Sequence, residues 1–126
     1  MRCPCARKSE TTTYADCCEP YHAGKKPAPT AETLMRSRYA AFVMCNSAYL
    51  LETWHASTRP PAIAFDPDQT WLGLRILASR AIGDEAFVEF IARSRIGGRA
   101  HKLREVSRFR RENGRWSYVD GDVANS

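Results

Sequence analysis

The chain has 126 residues, of which 44% are hydrophobic, 26% charged and 10% aromatic, and it carries a formal net charge of +5. That length makes one ordinary domain with room for a real core, not two full-sized domains. The apolar fraction excludes a mostly disordered chain, and neither a membrane helix of ~20 apolar residues nor a signal peptide is visible, so the expectation is a soluble, cytoplasmic protein.

Four of the five cysteines, Cys3, Cys5, Cys17 and Cys18, fall at the start of the chain. In a reducing compartment, clustered thiols point to metal rather than to disulfides. Two close pairs joined by a short loop supply four thiolates to one tetrahedral ion, and zinc suits such a soft, redox-silent site. With no coordination position left open, the ion would be structural rather than hydrolytic. Segment 1–24 is too short for a core of its own, and metal binding would supply its folding free energy. The alternatives are disulfides or a loose set of reactive thiols, although adjacent Cys17 and Cys18 do not readily bridge to each other. His22 is a substitute ligand ranked below the cysteines, and Cys45 reads as a small buried hydrophobe near a helix end.

Lys25-Lys26-Pro27-Ala28-Pro29 forms an extended linker over 25–29. Thr30 then caps a helix whose first turn carries Glu32. Leu34, Met35, Tyr39, Phe42 and Val43 give it an apolar face, with the charged heads of Arg36 and Arg38 opposite. A shorter helix is predicted from Ser47 to Trp54, ended by Thr58-Arg59-Pro60-Pro61. From Thr70 the period becomes that of a strand, with Leu72, Leu74 and Ile76 alternating with Trp71, Arg75 and Leu77. Further strands are predicted at about Ala86–Arg95, Ala100–Arg111 and Trp116–Asp120, joined by turns at Gly97-Gly98 and Asn113-Gly114. A body over 30–122 and a tail over 123–126 complete the organisation.

If both turns are two-residue loops, Ala92 pairs with Leu103, Phe90 with Glu105, Val88 with Ser107, Phe109 with Tyr118, and Ser107 with Asp120. One face then carries Val88, Phe90, Ala92, His101, Leu103, Glu105, Ser107, Phe109, Trp116, Tyr118 and Asp120, and an unseen bulge would break the assignment beyond it. Two carboxylates on an apolar face need partners, and Arg36, Arg38 or His55 are the candidates. The expectation is an ion pair seating helix on sheet. The alternative is a polar pocket drawing on Arg36, Arg38, Tyr39, His55, Glu105, Ser107, Trp116, Tyr118 and Asp120. The other face carries Arg93, Arg95, Lys102, Arg104, Arg108 and Arg110, which reads as a solvated face, with weak RNA or ribosome binding as the alternative.

Cys3-Pro4-Cys5, Tyr14, Cys17-Cys18, Leu34-Met35-Arg36-Ser37-Arg38-Tyr39, Thr53-Trp54-His55, Trp71-Leu72-Gly73-Leu74, Glu105-Val106-Ser107-Arg108-Phe109 and Trp116-Ser117-Tyr118-Val119-Asp120-Gly121 together resemble the YchJ-like family of small bacterial proteins. The N-terminal part is similar to the SEC-C zinc motif, named for the metal-binding tail of the SecA motor. The remainder is similar to the nuclear-transport-factor-2-like cone. The resemblance implies an α+β fold: a cone-like curved antiparallel sheet packed on helices, with a small N-terminal zinc-binding segment. It assigns the zinc ligands to Cys3, Cys5, Cys17 and Cys18. The loop Ala6 through Asp16 departs from the family in being longer and lacking glycine, and Cys18 stands where the SecA tail more often has histidine.

The family brings no settled reaction. In SecA the similar tail contacts an export chaperone and the ribosome, so a protein or ribosome partner is implied for a zinc-stabilised binding module. Related cones host isomerases and dehydratases, which makes a small-molecule binder or enzyme the alternative. No nucleophile–base pairing emerges from the spacing and no phosphate-binding glycine loop is present, so the expectation is a non-enzymatic module. Oligomeric state is left open.

Overall fold

A computed structural model of the chain describes residues 1–5 and 12–124. Thr30 is extended (φ −137°), and its hydroxyl accepts the Thr33 N–H at 3.1 Å, capping α2 (Ala31–Val43) as the sequence predicts. The helix ends in a Schellman motif. Asn46 N–H donates to the Ala41 carbonyl at 2.8 Å and Cys45 N–H to the Phe42 carbonyl at 3.3 Å. Cys45 therefore holds the left-handed position (φ 55°) usually given to glycine, and it is exposed rather than the buried hydrophobe expected. Asn46 also caps α3 (Ser47–Glu52), its side-chain oxygen accepting from Tyr49 N–H. This helix stops before Trp54 because Thr53 and His55 bond instead to the backbone of Tyr118, at 2.8 and 2.7 Å.

Four strands follow, β1 (Gln69–Ile82), β2 (Glu85–Ile96), β3 (Arg99–Glu112) and β4 (Arg115–Val123), in an antiparallel meander of order β1-β2-β3-β4. Gly97-Gly98 and Asn113-Gly114 both place two residues at positive φ, the primed geometry that matches strand twist. The first turn delivers the expected register, with Ala92 opposite Leu103, Phe90 opposite Glu105 and Val88 opposite Ser107. The second delivers Phe109 opposite Tyr118, and then a bulge between Arg108 and Phe109 advances β4 by one residue. Ser107 consequently faces Gly121, and Asp120 pairs with Arg108 on the outer surface instead of entering the core.

Bulges also interrupt β1, between Trp71 and Gly73 and between Ile76 and Ala78. They turn Leu72 out, 50% exposed, while Trp71, Leu74 and Ile76 pack on the core. The inner face of the curved sheet presents Ala86, Val88, Phe90, Ala92, Phe109 and Trp116 to the helices. Nine of the thirteen residues of α2 are buried, because the sheet covers one side and the N-terminal segment, with the short α1 (Glu19–His22), covers the other. Arg38, expected to keep its charge in water, is for that reason only 3% exposed.

Candidate functional site

The N-terminal segment folds on very little secondary structure. Cys3 N–H donates to the Thr12 carbonyl at 2.9 Å and Tyr14 N–H to the Met1 carbonyl at 2.8 Å, a two-rung ladder with Arg2 opposite Thr13. This brings Cys3 and Cys5 against Cys17 and Cys18, which lead into α1. Of the longer loop singled out in the sequence, residues 6–11 lie outside the described residues.

All four thiols are buried, with their sulfurs within 4.8 Å of one another. Sulfur separations are 3.6 Å for Cys3–Cys5, 3.4 Å for Cys5–Cys17, 3.8 Å for Cys17–Cys18 and 3.7 Å for Cys5–Cys18. A disulfide would hold two sulfurs at ~2.05 Å. A regular tetrahedron built on metal–sulfur bonds of ~2.3 Å has edges of about 3.8 Å, so the cluster fits a zinc site. The four thiols do not share protons evenly: hydrogen bonds with Cys18 and Cys5 lower Cys3, while hydrogen bonding to Cys3 pushes the Cys18 thiol up and burial raises Cys17. A divalent cation overrides that imbalance by stabilising the thiolates.

His22 is not a substitute ligand, because both ring nitrogens are engaged. Nε2 lies 2.7 Å from the Ser37 carbonyl, which only accepts, so the proton sits there and Nδ1 accepts from the Tyr14 hydroxyl at 2.7 Å. The ring also lies on Tyr49, with centroids 4.6 Å apart, and the Tyr49 hydroxyl meets Ser37 Oγ at 2.7 Å. Arg36 joins this junction instead of the pocket, bonding Glu32 and the Cys5 carbonyl, each at 3.3 Å. The thiol cluster is thereby fastened to the back of α2 by hydrogen bonds.

On the other side of α2, helix and sheet enclose a cavity of about 250 Å3. Of the predicted pocket residues, Arg38, Tyr39, Glu105, Ser107 and Tyr118 line it. Arg36, His55, Trp116 and Asp120 do not: His55 bonds Glu112 and Ser57 at the surface, and Trp116 lies under Arg111 beside a separate groove. The expected ion pair between helix arginine and sheet carboxylate is absent among the described residues. Arg38 instead donates through Nη1 to the Leu50 carbonyl at 2.8 Å and the Thr53 hydroxyl at 2.7 Å, its guanidinium over the rings of Trp54 and Tyr118. Glu105 accepts from the Ser107 hydroxyl at 2.6 Å.

Sequence reasoning missed Trp54, Trp71, Phe42 and Gly121 here. The first three line the cavity, and a β-carbon at Gly121 would collide with the Glu105 carboxyl group. A lone glycine inside a strand was the available signal for Gly121, since it often marks a close approach.

The outer face divides in two. Arg104 pairs with Glu89, Arg108 with Asp120 and Asp122, and Arg110 with Glu112. Arg93 and Lys102, directly opposite each other, and Arg75 and Arg95 nearby form no ion pair among the described residues and are exposed.

A family model described as "YchJ, middle NTF2-like domain" matches residues 30–121. A UPF0225 protein of Polaromonas naphthalenivorans is 51% identical over 95% of this chain and 96% of its own length. One of Methylibium petroleiphilum is 53% identical over 98% and 89%. The solution structure of a SEC-C motif containing protein from Rhodopseudomonas palustris superposes with a TM-score of 0.85 at 37% identity, covering 99% of this chain and 100% of that one. The crystal structure of a SEC-C motif containing protein from Psychrobacter arcticus gives 0.78 at 30% identity, covering 100% of this chain and 84% of that one. Among the described residues no helix is long and apolar enough to cross a membrane.

Proposed function

The chain belongs to the YchJ-like family of UPF0225 proteins, and from that premise we propose that it is a small zinc-binding interaction module whose metal-held N-terminal segment meets a protein or ribosomal partner. The observation that carries this reading is the buried cluster of Cys3, Cys5, Cys17 and Cys18, whose sulfur separations suit a tetrahedral ion. Four thiolates close the coordination sphere, so the ion shapes a surface and activates no water. Two features beside it suit a partner. Lys25 and Lys26 are exposed next to α1. A groove of about 500 Å3, edged by Tyr21, Lys26, Arg59, Glu112 and Trp116, runs from there to the β3–β4 turn. The reading places the protein in the reducing cytoplasm, where thiols stay available to metal.

A native mass spectrum of gently purified protein, made without chelator, tests the metal half of the reading. One zinc per chain supports it, and a metal-free folded chain defeats it. Cross-linked capture tests the other half: the partner should be lost with Cys17→Ser and weakened by a Lys25→Glu, Lys26→Glu double variant. Capture indifferent to both changes removes the interaction module.

A second reading, RNA bound on the outer sheet face, has one observation in its favour. Arg93 and Lys102 stand side by side unneutralised, a costly like-charge pair that a phosphate backbone would relieve. Affinity should fall steeply with salt and vanish on charge reversal at Arg93 and Lys102. Arg104 and Arg108, already neutralised by acidic neighbours, should matter little.

A further inference from the structure

Arg38 is a buried cation that forms no ion pair among the described residues. Its Nη1 is engaged by the Leu50 carbonyl and the Thr53 hydroxyl, and no described acceptor meets Nε or Nη2. Among the described residues no sealed side-chain nitrogen or oxygen lacks a partner, so these remaining donors open onto the cavity that Arg38 lines. Burial lowers the guanidinium to about 10, which leaves it charged at neutral pH. A charge taken out of water is stable only when something answers it. Here the rings of Trp54 and Tyr118 do so in part, and Glu105 across the cavity adds a longer-range attraction without forming an ion pair with it. The free guanidinium donors therefore still face the cavity without a hydrogen-bonded anion.

The rest of the cavity is mostly apolar. Phe42, Trp71, Phe90 and Leu103 make the walls, and Glu105 is the sole carboxylate among the lining residues. Glu105 is held in place by the Ser107 hydroxyl and by the space that Gly121 leaves for it. It answers a hydrogen-bond donor and repels a second negative charge. The volume, about 250 Å3, lies below the ~300–1,000 Å3 of sites for drug-sized ligands, which restricts the occupant to a small metabolite.

We infer that the cavity between α2 and the sheet binds a small apolar monocarboxylic acid bearing a hydroxyl group. Its carboxylate lies on Arg38, its hydroxyl donates to Glu105, and its hydrocarbon body rests between Trp54 and Trp71. This site is independent of the thiol cluster and of any macromolecular partner. Dicarboxylates are excluded by Glu105, and neutral molecules leave Arg38 unanswered.

The test is a titration of the zinc-loaded full chain with three probes: 3-phenyllactate, 3-phenylpropionate and 3-phenylpropane-1,2-diol. Binding is followed by the indole resonances of Trp54 and Trp71. Phenyllactate should shift both saturably, phenylpropionate should bind about fivefold more weakly, and the diol about tenfold more weakly or not at all. Arg38→Gln should abolish discrimination between acid and diol. Because Arg38 also ties α2 to α3, Leu103→Trp provides the second variant: it fills the cavity, keeps the Arg38 hydrogen bonds, and should remove phenyllactate binding while the fold persists. The inference is overturned if neither acid shifts Trp54 and Trp71 saturably up to about 10 mM, if the diol binds as well as the acids, or if Leu103→Trp binds phenyllactate unchanged.

Discussion

The two sides of α2 hold the protein together by different means. Toward the sheet, α2 meets a continuous apolar surface in which Leu34, Val88 and Phe109 are almost wholly out of water. Toward the N-terminus it meets four thiols, a two-rung ladder, and a junction of hydrogen bonds through His22, Ser37, Tyr49 and Arg36. One side is stabilised by area removed from water and tolerates sequence drift that preserves volume. The other rests on a few directional contacts and, on the proposed reading, on a single ion, which would make its stability conditional on metal supply. One helix can therefore belong to a permanent core and to a conditional one.

The largest expected effect separates these sides. Cys17→Ser, or a strong chelator, should remove the stoichiometric zinc and melt the N-terminal segment, where apparent zinc-binding energies in small domains run ~10–16 kcal/mol. Metal analysis and amide exchange check it: protection should vanish around Cys3, Cys18 and α1 yet persist in β2 and β3. Simultaneous loss in the sheet would show the two sides to be one cooperative unit.

Phe109→Ala breaks the comparison from the opposite side. Truncating this fully buried ring should cost ~3–5 kcal/mol in denaturant unfolding, with zinc stoichiometry unchanged. A zinc affinity that falls in step with sheet stability would contradict the separation.

His22→Phe addresses the junction. It keeps the ring on Tyr49 and strips the Ser37 carbonyl and the Tyr14 hydroxyl of their partner, which should cost about 1–3 kcal/mol. The readout is faster transfer of zinc to a chromogenic chelator, while the sheet keeps its protection. A transfer rate equal to that of the parent chain would assign the fastening to packing alone.

The smallest effect is favourable. Cys45→Gly relieves a left-handed side-chain residue at the end of α2 and should stabilise the chain by about 0.5–1 kcal/mol, seen as a raised melting temperature with zinc content unchanged. A lowered melting temperature would mean that the exposed Cys45 side chain makes a contact the backbone argument omits.

The legible parts of the molecule were those governed by short-range rules. Cysteine spacing named the thiol cluster, Thr30 and Asn113-Gly114 announced their cap and turn, and two-residue loops carried the register from Gly97 as far as Ser107. What escaped was decided by tertiary contact. The bulge beside Phe109 has no local signature, and it alone exchanged Asp120 for Gly121 on the inner face. Arg38 read as an exposed charge because a helix buried on two sides looks, in sequence, like one buried on a single side. Trp54 entered the cavity only because segment 53–58 leaves α3 to bond along β4, a pairing sixty-odd residues distant in the chain.

The bulges in β1 also bear on how copies of this protein can meet. A meander has two outer strands, and each offers unpaired backbone groups to a neighbour. On β4 the stretch around Tyr118 and Val119 is occupied by Thr53, His55 and Thr58 of the same chain. On β1 the ladder is broken twice, and the Gly73 N–H is turned inward to the Tyr39 hydroxyl. Neither rim presents a long straight template, so the sheet resists growth by strand addition. A homodimer, if it forms, is expected to join through faces, and fibrillar extension is disfavoured even at high concentration.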